Sequence, residues 1–273
     1  MGTEASPEAW PLDDRGVAYG DGLFETVLVR DGVPLLWEAH LARLARGCQA
    51  LGFPIPVQHR LAAPLVDAPE GLAVLKLMLT RGSGGRGYAP PESPRPRLRW
   101  QLSPFAPDTS RWKAGVRVRH CRLRLGLQPA LAGLKHLNRL ENVLARDEWS
   151  DAEIAEGLLC DSEGRLVEAT CMNVFWQRDG RLETPRLTRC GVAGTLRTEL
   201  LERLSIDEVD AFPEVLLSAE AVWLGNSVQG VWPVTRLDGT GGELLRRWSI
   251  GADHRRLQAL AHEPLGYPTR LDD

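Results

Sequence analysis

The sequence predicts a mixed α/β chain of two domains. Three observations carry this: β-rich runs closed by turn dipeptides alternate with helically spaced apolar residues, six prolines fall between Pro90 and Pro107, and 273 residues correspond to about 1.8 average domains. The boundary is placed at 110/111, between domains 1–110 and 111–273.

Residues 23–29, LFETVLV, are bounded by Gly22 and by Asp31-Gly32, a hairpin dipeptide leading into Val33–Leu36. This is read as strand, tight turn, strand. Trp37, Leu41, Leu44 and Cys48 then recur at helical spacing, and Gly52 with Pro54 stops the helix, which carries Arg43. Residues 72–79 and 97–102 read as strands, with Lys76 expected at a sheet edge and Lys113 exposed beyond the prolines. In the second half VRVRHCRLRL alternates as a strand does. A helix is expected from about Asn138 to Trp149, its apolar face built from Leu137, Leu140, Val143 and Leu144. The short runs LLCD, LVEA, NVFWQ and RLETP are separated by Ser162-Glu163-Gly164 and Asp179-Gly180, which marks them as strands. A last amphipathic helix spans about Thr195–Ile206, with Leu196, Leu200, Leu201 and Leu204 turned inward.

Composition narrows the function. The net charge of −3 argues against a nucleic-acid partner, because phosphate backbones are bound by concentrated positive surface. No apolar run approaches the ~18 residues that span a bilayer, and the first residues lack the pattern of a signal peptide. A chance match to an acylation signal at Gly2 and Ser6 has no polybasic companion and is set aside. Five widely spaced cysteines without metal-ligand spacing suggest a reduced, cytoplasmic chain that holds no structural metal. Of 33 basic residues only Lys76, Lys113 and Lys135 are lysines, so a reaction that needs an amine has three candidates.

Four segments could carry chemistry. Gly82-Ser83-Gly84-Gly85-Arg86-Gly87 has the form GxGxxG after a strand, but it runs into Tyr-Ala-Pro-Pro, which cannot open the helix a dinucleotide site requires. What remains is a flexible loop whose Arg81 and Arg86 suit a carboxylate, or a plain surface turn. Gly20-Asp21-Gly22 is by itself only a turn before a strand. Gly191-Val192-Ala193-Gly194 leads into a helix that begins at Thr195, an arrangement suited to a phosphate through free N–H groups and the helix dipole, and equally to an ordinary helix start. Gly133-Leu134-Lys135-His136 places Lys135 at a strand-to-helix junction. There, partial burial or cationic neighbours lower an amine's pKa, whereas most lysines are solvated.

In order, YGDGLFET, HLARL, RGSGGRGY, GLKHLNRLEN, EGLLCDSEGRLVEATCMNVFW, GVAGTLR and GNSVQGVWPV resemble the class IV aminotransferase family of fold-type IV pyridoxal-phosphate enzymes, over nearly the whole chain. The resemblance implies an N-terminal two-layer α/β sandwich, a C-terminal pseudo-barrel of β-strands with surrounding helices, and a homodimer. It makes Lys135 the Schiff-base lysine and Glu168 the carboxylate facing the pyridine nitrogen, with Asn173 following at the family's spacing. Arg43, Thr195, Leu196, Asn226 and Ser227 would hold the phosphate. Pairing of RGSGGRGY with AGLKHLNRLE is most similar to the family's lyases, which implies a small dicarboxylate substrate, with Arg81 and Arg86 as candidate carboxylate ligands. Glu25, after Phe24, departs from the lyase pattern on a strand expected to face the cofactor. A D-amino-acid or branched-chain transaminase, and a non-catalytic phosphate- or nucleotide-binding module, are the alternatives.

Overall fold

The computed structural model describes residues 4–5, 9–66 and 68–271; Gly2 and Ser6 lie outside them. The chain forms two compact units. The first runs to Ala106 and takes in Leu134–Asn138, and the second comprises Pro107–Gly133 and the chain from Arg139 onward. A single cut near residue 110 does not describe that return of five residues to the first unit.

The first unit contains β1 (Glu4–Ala5), α1 (Arg15–Tyr19), β2 (Gly22–Arg30), β3 (Val33–Pro34), α2 (Trp37–Leu51), α3 (Gln58–Ala62), β4 (Leu72–Thr80) and β5 (Arg97–Pro104). Its antiparallel sheet has the order β1-β5-β4-β2-β3. The period of two fixes which residues share a face: Leu23, Glu25, Val27 and Val29 pair with Leu79, Leu77, Leu75 and Ala73, and all eight are buried. Helix α2 covers this face, its Leu44 and Cys48 packing with Leu23, Phe53, Leu61 and Leu79. Glu25 therefore lies in an apolar row, at a position where a charge needs a partner. Lys76 is on the opposite face. It is exposed but not at an edge, because β4 is flanked by β5 and β2.

The second unit holds α4 (Thr109–Ala114), β6 (Val116–Leu125), α5 (Leu140–Arg146), β7 (Ile154–Asp161), β8 (Leu166–Ala169), β9 (Asn173–Arg178), β10 (Arg181–Pro185), α6 (Thr195–Arg203), β11 (Ile206–Val209), β12 (Ala221–Asn226), β13 (Gly230–Asp238), β14 (Leu244–Arg247) and α7 (Ala252–His262). The nine-stranded mixed sheet follows the order β11-β10-β9-β12-β13-β6-β7-β8, with β14 on β13. The pairs β10/β11, β13/β6 and β6/β7 are parallel. The sheet curls as the expected pseudo-barrel does, and β7, β8, β9 and β12 read as near-continuous buried runs.

Two helices depart from expectation. The helix expected over Thr195–Ile206 stops at Arg203, because Ile206 is already paired with Leu182 in β11. Helix α5 is shorter than expected and presents the other face: Leu140, Val143 and Leu144 are 76%, 60% and 60% exposed. Its inner side is small and polar instead. Ala145 is buried, Glu141 Oε1 accepts from Gly126 N at 2.8 Å, and Asn142 Nδ2 donates to Thr170 O at 3.0 Å.

Leu75 is fully buried in the first unit's core, so Leu75→Ala should destabilise the protein by about 2–5 kcal/mol through lost transfer free energy and an unfilled cavity. Urea unfolding measures the difference.

Candidate active site

The candidate residues are divided between the two units. In the first, the position of Lys135 is a matter of backbone pairing. Strand β3 covers only Val29 and Arg30 of β2 and leaves the other end of that edge open. Residues 135–137 occupy it: Phe24 N donates to Lys135 O at 2.9 Å, Leu137 N donates to Gly22 O at 3.0 Å, and His136 bridges Leu23 antiparallel. Asn138 Nδ2 adds a bond to Gly20 O at 3.2 Å. The conformation behind Gly20-Asp21-Gly22 is one glycine serves: Gly20 has φ +68° and a Cβ there would lie 2.3 Å from Asn138 Oδ1. So anchored, Lys135 Nζ lies 4.4 Å from the centroid of the Phe24 ring.

Glu25, the next residue along β2, faces α2 and not the side of Phe24. Arg43 Nε donates to its Oε1 at 2.8 Å, Arg43 Nη2 donates to Oε2, and His40 Nδ1 is 2.7 Å from Oε2. All three side chains are buried. Burial alone would raise the Glu25 pKa, but the Arg43 charge and hydrogen bonds, helped by His40, outweigh it and hold the carboxyl at about 2. His40 is held below its ordinary value, first by burial, with the charges of Arg43 and Lys135 adding to it against the pull of Glu25. The spacing His40-x-x-Arg43 puts both side chains on one face of α2, a signal legible in HLARL.

In the second unit Glu168 is the penultimate residue of β8 and Asn173 begins β9, and both reach the same residue of the 191–194 loop. Glu168 Oε2 accepts from Val192 N at 2.8 Å, and Asn173 Nδ2 donates to Val192 O at 2.9 Å. The loop leads into α6 at Gly194, which makes no side-chain cap, and Thr195 and Leu196 are buried in the first turn. Its glycines are required by close approach: a Cβ on Gly194 would lie 2.1 Å from Asn173 Oδ1, and one on Gly191 2.7 Å from Val167. A buried carboxylate next to a glycine-lined, uncapped helix start matches a ligand with a protonated ring nitrogen at one end and a phosphate at the other. Arg139, at the N-cap of α5, has its pKa lowered by burial, against the pull of the Glu168 charge. Asn226 uses its side chain on the protein: Oδ1 accepts from Val228 N and Gln229 N at 2.9 and 2.7 Å, and Nδ2 donates to Cys171 O at 3.2 Å. Ser227 is buried beside it.

The glycine-rich loop requires two corrections. Arg81 turns inward, donating to Asp21, Gly52 O and Leu51 O at 2.7, 3.0 and 2.6 Å and lying over Phe53, so it braces the loop base instead of waiting for a substrate. The loop is also pinned. Buried Arg15 donates to the carbonyls of Gly84, Gly87, Tyr88 and Ala89 at 3.4, 3.0, 3.0 and 3.3 Å. Arg86 is exposed on it.

Residues 22–237 match the family described as Amino-transferase class IV. An aminodeoxychorismate lyase of Vibrio harveyi is 36% identical over 259 residues, 91% of this chain and 94% of that protein. A 4-amino-4-deoxychorismate lyase structure from Pseudomonas aeruginosa superposes with a TM-score of 0.85 at 44% identity, covering 96% of this chain and 98% of that one. A fold IV transaminase structure from Curtobacterium pusillum superposes with a TM-score of 0.75 at 27% identity, covering 98% and 92%.

Glu25→Gln should leave the buried Arg43 charge uncompensated, at a cost of about 3–5 kcal/mol at neutral pH. Because the Glu25 pKa is depressed, its stabilisation is complete above the usual value of 4.5 and is lost as pH falls toward about 2. Urea midpoints of wild type and variant should therefore differ most near neutrality and converge in acid.

Proposed function

Because the chain belongs to the class IV amino-transferase family, we propose that it is a pyridoxal 5′-phosphate-dependent lyase converting 4-amino-4-deoxychorismate into 4-aminobenzoate and pyruvate, a step toward folate. The similarity over nearly the whole chain to two proteins named for that lyase carries the reading. When bound, pyridoxal 5′-phosphate supplies an electron sink for the pair released at the carbon that bears the substrate nitrogen.

The protein's own groups then have separable tasks. Lys135 would hold the cofactor, and its amine, when free, would take the proton from that carbon. Its return of a proton accompanies loss of the enolpyruvyl group, and formation of the aromatic ring drives the step. No keto acid is consumed. Glu168 keeps the ring nitrogen protonated by its charge, and Asn173 shares its hold on Val192. The N–H groups at Thr195 and Leu196, the Thr195 hydroxyl, Ser227 and Arg43 take the phosphate, while Asn226 orders the backbone beside it. Arg86, exposed on the loop pinned by Arg15, meets a substrate carboxylate.

Glu25 departs from the lyase pattern, yet it faces α2 and is consumed by Arg43 and His40, so it supports no transaminase reading. The enzyme is a homodimer. Leu140, Val143 and Leu144 form an exposed apolar strip on α5, which a second copy would cover. It works in the cytoplasm, where a reducing pool keeps its five free cysteines as thiols.

Purified enzyme given aminodeoxychorismate without a keto acid should release pyruvate and 4-aminobenzoate in equal amounts. Lys135→Ala should lose both this activity and the visible cofactor band; ready transamination of D-alanine or a branched-chain amino acid, with no lyase product, would show the reading to be wrong. By light scattering the wild type should have twice the mass of one chain, and Leu140→Asp combined with Leu144→Asp should shift it toward one.

A further inference from the structure

One buried titratable group has no part in the reaction just described. Glu156 on β7 is 4% exposed, and both of its oxygens are engaged by two consecutive residues. Oε1 accepts from Cys171 Sγ at 2.8 Å, while Oε2 accepts from Thr170 N at 3.0 Å and from the Thr170 hydroxyl. Two other elements hold the same pair by their carbonyls: Asn142 of α5 donates to Thr170 O at 3.0 Å, and Asn226 of β12 donates to Cys171 O at 3.2 Å. Thr170 and Cys171 are the middle of a tight turn closed by Ala169 N and Met172 O at 2.8 Å. That turn joins Glu168 to Asn173.

Glu168 and Asn173 grip Val192 by its N–H and its carbonyl, so the turn sets the span of a clamp on the 191–194 loop. The loop has little freedom to slide within it, because Gly194 lies against Asn173 and Gly191 against Val167 too closely for any Cβ. We infer that Glu156 is a positioning residue that, through this turn, places the ring-facing carboxylate and the phosphate-facing amides as one unit. This rests on the pyridoxal-phosphate reading. Burial pushes the Glu156 carboxyl upward while the Cys171 and Thr170 donors oppose it, and an acceptor-only carboxylate satisfies all three donors. A glutamine would turn an N–H₂ toward one of them.

The test titrates the apo forms of wild type and Glu156→Gln with pyridoxal 5′-phosphate and, separately, with pyridoxal, which lacks the phosphate, following the visible band and the melting temperature of each protein. If Glu156 couples the two ends, Glu156→Gln binds pyridoxal 5′-phosphate at least about tenfold more weakly, the size of a lost hydrogen bond to a charged group, and its preference for the phosphorylated form over pyridoxal falls. A merely structural residue would lower the melting temperature and leave that preference within about twofold of wild type, and this result overturns the inference. Should Glu156→Gln not fold, Thr170→Val, which removes only the hydroxyl donor, must show a smaller fall in the same preference; an unchanged preference there also overturns it. A wild-type chain that binds neither ligand overturns the cofactor reading itself.

Discussion

The backbone groups of Gly22–Phe24 need partners, and what supplies them decides where the reactive amine goes. An edge N–H or carbonyl left unpaired in a folded interior costs as much as a lost hydrogen bond, and β3 is too short to cover that end of β2. The segment that fills the gap is Lys135–Leu137, so a structural demand of the first unit's sheet fixes the only lysine with a chemical assignment. The Phe24 ring supplies a face for the cation, and period-two alternation sends Glu25, next in sequence, to the opposite side.

The same economy governs the buried charges. In each unit a carboxylate is buried at a place where isolation would be ruinous, and each is answered by a donor of its own unit. Arg43 neutralises Glu25 while Glu25 restricts the guanidinium to one orientation. Glu168 and Asn173 satisfy both polar groups of Val192 and thereby shape the helix start that follows. Arginines elsewhere do similar structural work. Arg15 and Arg81 both meet Asp21, and between them they fasten the glycine-rich loop from within.

Periodicity and turn dipeptides made most elements legible, because alternation and the stops at Gly52, Pro54 and Asp179-Gly180 are local consequences of backbone geometry. Helix α5 departs from its pattern for a reason just as physical. Its apolar residues share a face, but pattern alone does not say whether that face meets the chain's own core or something outside it. The engagement of Arg81 is not legible, because guanidiniums on a glycine-rich loop look free in sequence. Their partners, the carbonyls of Leu51 and Gly52 and the carboxylate of Asp21, are remote in the chain.

What the sequence by itself determined is the chemistry on offer: an arginine-rich chain keeps few lysines, and a task that needs a titratable amine cannot pass to a guanidinium, which stays protonated. It also determined the order of motifs that marks the family. Tertiary structure alone decided which of those groups are engaged and with what. Glu25 meets Arg43 and His40, Glu168 and Asn173 share Val192, and Glu156 holds the turn between them, because hydrogen bonds across a sheet are set by register and curl, which residue spacing along the chain does not encode.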